Sequence, residues 1–203
     1  MTDRVTKLEV GRRQLEAGIR MFFDQIDPIA THTVLFAAAE VLRDLCQNRG
    51  LDAECDVSVR RVIKEQHWKD YHEHVRKFAL FLKHADRNPD SELEIPSEQL
   101  NEMWLLTGCS RYRALTGRCT LPMDHGLEWL LWCNPDWMNG VPSEGAAKMQ
   151  SAFARMNWRQ QVAFGRYRLA LIEEREEEAE RLASEFQARH PGAFNEIQRM
   201  LAP

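Results

Sequence analysis

The amino-acid sequence predicts an all-α protein. Apolar residues recur every three or four positions along most of the chain, which is the spacing of an amphipathic helix. No segment alternates apolar and polar residues as a half-buried strand does. With 203 residues, 44% hydrophobic and 29% charged, the chain has the composition of a folded globular protein. We therefore predict a helical bundle with a long C-terminal helix.

Two helices are predicted at the start of the chain. Thr6-Lys7-Leu8-Glu9 fits a capping box, which opens the first helix. Asp27 and Pro28 have the residue types of an N-cap and a first helical position, so a second helix is expected over roughly 28–49. It contains the sequence VLFAAAEVL and is apolar around most of its circumference, so we predict that it is the central helix, ended by Gly50.

Three further helices are predicted at 58–84, 97–115 and 123–133, separated by polar or proline-containing loops. Ser97 has the residue type of an N-cap for the second of them. The first has a core stripe at helical spacing, made of Trp68, Tyr71, Val75, Phe78, Leu82 and Ala85.

The helical pattern then continues from about 145 to 189. At about 1.5 Å per residue, one helix of this length would span about 65 Å, whereas a compact globule of this size is about 45 Å across. We expect this helix to bend at Gly165 or to extend beyond the body. The predicted organisation is a bundle domain over 1–142, followed by the long helix and a short terminal helix over 143–203, or one single domain.

An extended amphipathic helix favours a partner, either another protein or a second copy in a homodimer. The acidic run at 173–181, EEREEEAER, is interpreted as a solvated helix face or, alternatively, as an interaction surface.

Charge and hydropathy limit the cellular setting. The net charge of −4 argues against a dedicated nucleic-acid-binding protein. The longest purely apolar run, Val34 to Ala39, is far shorter than the roughly 20 residues of a membrane-spanning helix. The first residues are charged and lack the apolar core of a signal peptide. We expect a cytoplasmic protein without membrane contact.

Most sequence-readable chemistry is missing from the chain. The five cysteines are odd in number and form no C-x-x-C pair, so neither a disulfide framework nor a cysteine-rich zinc site is predicted. The sequence has no G-x-G-x-x-G, no Walker A, no G-x-S-x-G and no H-E-x-x-H motif. No cofactor is therefore predicted.

Four of the seven histidines lie between 67 and 86. On a helix, His67, Asp70 and His74 fall within about 60° of arc, and histidines and a carboxylate on one face can begin a metal site in a bundle. Glu40 or His32 would complete such a site from the second helix. Alternatively, these residues are the half-exposed polar flank of the core stripe.

His32 is expected in the first turn of the second helix. The positive end of the helix dipole disfavours a protonated ring there, so His32 is a candidate neutral acid or base, or a ligand. The alternative is a hydrogen-bonded core histidine. Three tryptophans form a second unusual feature, because Trp129, Trp132 and Trp137, with Met138, surround a turn. They line a ligand pocket or pin the turn to the bundle.

Residues 14–45, QLEAGIRMFFDQIDPIATHTVLFAAAEVLRDL, resemble the first helical hairpin of HEPN-like domains. The chain is also similar to bacterial all-helical proteins that carry an FxKHAD stretch after such a hairpin, here Phe81 to Asp86. The resemblance covers roughly residues 8–90. It implies a module of four to five helices that is often dimeric and in some members is a metal-independent ribonuclease.

The ribonuclease motif of that family is an arginine, four to six residues, and a histidine. Three pairs match this spacing: Arg61 with His67, Arg60 with His67, and Arg118 with His125, the last interrupted by Pro122. The pair best placed by the resemblance is Arg76 and His84, with seven intervening residues. In that role, His84 assists proton transfer from the RNA 2′-hydroxyl and Arg76 steadies the phosphate.

We therefore expect a non-catalytic helical binding or regulatory protein that acts through protein–protein contacts. The first alternative is an HEPN-like endoribonuclease acting on RNA through His84 and Arg76, with His32 as a further catalytic candidate. The second alternative is a metal-binding bundle that uses His67, Asp70 and His74.

Overall fold

The computed structural model describes residues 4–51, 64–69, 101–136, 142–192 and 194–195, together with the single residues 73, 81, 90 and 92. The described ranges contain seven α-helices and no strand, which confirms the all-α prediction. The helices are α1 (Lys7–Phe23), α2 (Pro28–Asn48), α3 (Glu102–Thr116), α4 (Leu121–Cys133), α5 (Glu144–Phe153), α6 (Trp158–Ile172) and α7 (Glu176–Arg189). The chain divides into two compact units, Met1–Cys119 and Thr120–Pro203.

Capping residues set the starts of α1 and α2 where the sequence predicts them. The Glu9 backbone N–H donates to Thr6 Oγ1 over 3.1 Å. The carboxylate of Asp27 accepts hydrogen bonds from the N–H groups of Ile29 and Ala30, with Pro28 in the first helical position. Both interactions satisfy backbone donors that the first turn of a helix leaves without a partner.

α1 and α2 form an antiparallel hairpin whose close approach depends on glycine. A Cβ placed on Gly18 would lie 2.5 Å from Leu35 Cδ2 and 2.6 Å from Leu35 Cγ. A Cβ on Gly11 would lie 2.9 Å from Leu42 Cδ2. Since Leu35 and Leu42 are fully buried, the two helix backbones meet at positions where a side chain has little room.

Gly18→Ala is expected to lower the free energy of unfolding by about 1–2 kcal/mol. Overpacking of a core costs about 1–3 kcal/mol, and the better helix propensity of alanine returns up to about 1 kcal/mol. Gly11→Ala is the matched control on the same helix, because its Cβ would overlap less, at 2.9 Å from Leu42 Cδ2 against 2.5 Å from Leu35 Cδ2 at Gly18. Denaturant unfolding followed by circular dichroism measures both, and equal destabilisation of the two variants would contradict the packing argument.

α3 is the most enclosed of the three described α-helices in the Met1–Cys119 unit. All its residues from Glu102 to Ser110 are buried, whereas α2, which the sequence predicts as the central helix, exposes Ile29 and Thr33. α3 runs parallel to α2. Asn101 Nδ2 donates to the carbonyl of Pro28, and the side chain of Arg111, ten residues later, donates to the carbonyl of Ala39, eleven residues further along α2. α2 packs against both α1 and α3, which agrees with the prediction that it is the central helix.

In the Thr120–Pro203 unit, α4 packs antiparallel to α6. His125 Nε2 lies 2.9 Å from the carbonyl oxygen of Gly165, and one turn later Trp129 Nε1 donates over 2.9 Å to the carbonyl of Gln161, one turn earlier on α6. α7 then packs on α6 through a small apolar core of Ala170, Ala179, Leu182 and Tyr167.

The predicted long C-terminal helix is not what the structure has, because three helices occupy 144–189. Asn157 and Gln160 form a reciprocal capping box that opens α6, and Glu174 adopts a left-handed φ of 57° before α7. Gly165 lies inside α6 and is buried, so it does not mark a bend. Local capping thus divides a stretch whose apolar pattern continues without a break.

The cysteine prediction also needs a correction. Cys46, near the end of α2, is disulfide-bonded, and its partner lies outside the described residues. Cys109, Cys119 and Cys133 are free. An odd number of cysteines excludes complete pairing but not a single bridge.

In the described part of the chain, no helix has the length and apolar character needed to cross a membrane.

Candidate functional site

His32 lies on the first turns of α2 and is only 1% exposed. Its ring is stacked with Phe36 at a centroid distance of 6.2 Å and meets Trp104 of α3 edge-on at 5.7 Å. Phe36 and Trp104 are themselves in edge contact at 4.7 Å. The surroundings of His32 are thus those of a core residue, and its catalytic role stays a prediction.

The predicted metal ligands are described only in part. His67 lies in a 3-10 turn, Glu65–His67, with its Nε2 3.1 Å from Gln66 Nε2. Asp70 and His74 lie outside the described residues. Among the described residues, no group of three or more His, Cys, Asp or Glu could hold a metal ion. Glu40, the proposed completing ligand, pairs with Arg43 at 2.7 Å.

Arg76 and His84, the ribonuclease pair implied by the HEPN resemblance, lie outside the described residues, as do Trp137 and Met138. RNA cleavage by this pair stays a prediction. The other spacing match, Arg118 with His125, ends at a histidine that is buried within the Thr120–Pro203 unit.

His125 is a buried, neutral histidine that links α4 to α6 by a hydrogen bond. Its Nε2–H donates to the carbonyl of Gly165, because a carbonyl oxygen only accepts. Burial lowers the pKa of His125 from 6.5 to about 4, against the bond to Gly165, which raises it, and the positive charge of Arg168 lowers it further. The neutral ring therefore holds α4 on α6 at physiological pH. The sequence offered no signal for this role beyond the histidine itself.

Trp129 and Trp132 are buried in the same unit and are not available as ligand contacts. Trp129 is fully enclosed and donates to α6. Trp132 meets Phe153 of α5 at 5.4 Å, and the guanidinium of Arg168 lies 4.6 Å above its ring. The two tryptophans thus attach α4 to its neighbours in the unit.

Two leucines are exposed at one end of the α4–α6 pair. Leu121 is 67% exposed and Leu171 is 48% exposed. The antiparallel register set by His125 and Trp129 places Leu121 opposite Leu169, at the end where α4 begins and α6 ends. Leu121 and Leu171 therefore share this end of the unit. Exposed leucines that lie singly need no explanation, but a group at one end is typical of a contact surface.

Exposed carboxylates follow Leu171 along the chain. Four exposed glutamates follow Leu171 in the α6–α7 turn and on the first turns of α7: Glu174, Glu176, Glu177 and Glu180. Within the described part of the chain, none of these four carboxylates forms an ion pair, unlike Glu173, Glu178 and Glu185, which pair with arginines. We call Leu121, Leu171 and these four glutamates the apolar–acidic end.

The three glutamates on α7 lie on the side of the helix that faces solvent. Glu176, Glu177 and Glu180 fall within about 100° of arc, and the buried Ala179, Leu182 and Phe186 lie on the other side of the helix. The N-terminus of a helix favours negative charge, which explains how the helix tolerates three neighbouring carboxylates there. The acidic run at 173–181 is therefore a solvated helix face, and four of its carboxylates form no ion pair within the described part of the chain.

Comparison of the chain with protein-family models, with curated proteins and with solved structures found no match. The assignment of function accordingly depends on the chemistry of the described residues.

Proposed function

We propose that this protein is a non-catalytic helical binding protein and that the apolar–acidic end of the Thr120–Pro203 unit contacts a protein partner. The observation that carries the proposal is the exposure of Leu121 and Leu171 at one end of the α4–α6 pair, with four glutamates after Leu171 that form no ion pair in the described part of the chain. Exposed apolar side chains with charged neighbours are the parts of a contact surface with an apolar centre and a polar rim.

Each kind of residue contributes differently to such a contact. Burial of an exposed leucine side chain stabilises a complex by about 1.5–3 kcal/mol at most, since only the exposed part is newly buried. The glutamates select a basic partner and speed its approach at low ionic strength, although each exposed ion pair adds little affinity. The expected partner is therefore a basic amphipathic segment.

The turn between α1 and α2 offers a natural comparison. Ile26 and Ile29 are also exposed, at 48% and 43%. The carboxylate between them, Asp27, already caps α2 by accepting two backbone hydrogen bonds. This surface has exposed apolar side chains without a group of unpaired charges, so it serves as the matched control.

Binding of a synthetic helical peptide built of leucine and lysine tests the proposal. L121Q/L171Q is expected to weaken binding by about tenfold or more, which corresponds to about 1.4 kcal/mol. Glutamine changes no charge, so the loss reports apolar contact alone. I26Q/I29Q is expected to bind like the unchanged protein. Fluorescence anisotropy of the labelled peptide at low salt measures all three dissociation constants.

Replacement of Glu174, Glu176, Glu177 and Glu180 by glutamine is expected to weaken the binding at low salt and to flatten its salt dependence. Equal affinity in all variants, or an equal loss in L121Q/L171Q and I26Q/I29Q, would mean that the apolar–acidic end is not the contact surface.

A further inference from the structure

Val5 differs from the other exposed large apolar residues in the charge of its neighbours. The described residues include five such side chains: Val5, Ile26, Ile29, Leu121 and Leu171. Val5 is 50% exposed and lies between Arg4 and Lys7, both exposed. In the described part of the chain, neither cation forms an ion pair, whereas Arg12 and Arg13 on the same helix pair with Glu9.

We infer that the apolar–acidic end binds the Arg4–Lys7 segment of a second copy of this chain. The inference rests on the proposed function and names its partner. The two surfaces are complementary in kind: an exposed valine with two unpaired cations on one, and two exposed leucines with four unpaired carboxylates on the other.

The Arg4–Lys7 segment is ordered enough in its local structure to present these side chains together. Thr6 caps α1 through Glu9, and Lys7 is the first residue of the helix. Lys7 is therefore held at the start of a helix, and Arg4 and Val5 directly precede the capping residue. A segment held in this way loses less conformational freedom on binding than a free tail does.

The two surfaces are different, so the contact is head-to-tail. Such contacts are heterologous, and they produce rings when the rotation closes and open chains when it does not. Because the charges are exposed, the association is expected to strengthen with protein concentration and to weaken with salt.

Sedimentation equilibrium of the full chain tests this inference. The weight-average mass is expected to rise with concentration at low salt and to fall towards the monomer at high salt. R4E/K7E and E176K/E177K are each expected to weaken self-association by about tenfold or more. I26Q/I29Q is expected to associate like the unchanged protein, and circular dichroism verifies that every variant keeps its helices.

Mixing the two charge-reversal variants gives the sharpest outcome. In the mixture, the reversed Arg4–Lys7 segment of R4E/K7E meets the lysines introduced in E176K/E177K. The acidic end of R4E/K7E and the Arg4–Lys7 segment of E176K/E177K are unchanged, so they also carry opposite charges. The mixture is therefore expected to associate more strongly than either variant does alone. Homodimers of either variant alone, or no complex in the mixture, would overturn the inference.

The two proposals fail in different ways. If the unchanged protein stays monomeric at all concentrations but L121Q/L171Q still weakens peptide binding, the second-copy inference is wrong and the binding surface stands. If the unchanged protein stays monomeric and L121Q/L171Q binds the peptide as tightly as the unchanged protein does, both proposals are wrong. Loss of self-association in I26Q/I29Q alone would assign the contact to the α1–α2 turn and overturn the inference.

Discussion

Trp129→Ala is expected to lower the free energy of unfolding of the Thr120–Pro203 unit by about 3–5 kcal/mol. The indole is fully buried, so its removal takes a large apolar group out of the core and leaves a cavity. It also removes the Nε1–H that donates to Gln161 over 2.9 Å, which leaves a carbonyl oxygen of α6 without this donor. A loss of this size is a large share of the stability of a small domain.

Guanidinium unfolding followed by far-ultraviolet circular dichroism measures this loss in the full chain. Trp129→Phe is the matched control, because phenylalanine keeps most of the apolar volume and lacks the N–H donor. It is expected to cost about 1–3 kcal/mol. If the alanine variant were no less stable than the phenylalanine variant, the buried indole of Trp129 would not stabilise the packing of α4 on α6.

Local signals in the sequence were sufficient for the fold class and for the beginnings of α1 and α2. Thr6, Asp27 and Pro28 act within three residues of their partners, so their roles can be predicted without tertiary structure. The enclosed position of α3 has no such signal. Its buried residues include Glu102 and Thr107, so the hydrophobic pattern that predicts the helix does not predict burial on all its sides.

The C-terminal region shows the opposite failure. Its apolar pattern is regular enough to suggest one helix. However, the side chains of Asn157 and Gln160 each accept a hydrogen bond from the other residue's backbone N–H, and a new helix begins at Trp158. A capping box inside a long pattern can be recognised from sequence once it is looked for. The left-handed Glu174 could not be predicted, because a non-glycine residue rarely takes a positive φ.

The candidate surface depends on information that the sequence does not carry. Leu169 and Leu171 are two residues apart on α6, yet Leu169 is 1% exposed and Leu171 is 48% exposed. The two side chains point about 200° apart around the helix, and the packing of the unit decides which of the two sides is buried. The acidic run was visible in the sequence, but which of its glutamates pair with arginines depends on where α6 and α7 place those arginines.

His125 makes the stability of its unit depend on pH below neutrality. Its pKa is about 4 in the folded protein and 6.5 as the ordinary value, so between these values the unfolded chain binds more protons than the folded one. Stability therefore rises with pH across this window, by up to about 1.4 kcal/mol per pH unit. The contribution is complete above pH 6.5 and is lost as the pH falls towards 4.

The free energy of unfolding is expected to fall by about 3 kcal/mol between pH 6.5 and pH 4. This value is the difference between the two pKa values multiplied by the free energy that corresponds to one pKa unit. Its structural meaning is that a protonated ring is poorly solvated between α4 and α6 and lies near the charge of Arg168. The bond to Gly165 survives protonation, so burial, not loss of the hydrogen bond, drives the effect.

His125→Gln separates this residue from the other titrating groups. Glutamine keeps a donor for the Gly165 carbonyl and does not titrate, so the variant is expected to show a flatter dependence of stability on pH between 4 and 6.5. Urea unfolding at several pH values measures both proteins, and the difference between their slopes belongs to His125. Parallel pH curves for the two proteins would contradict a buried neutral histidine at this position.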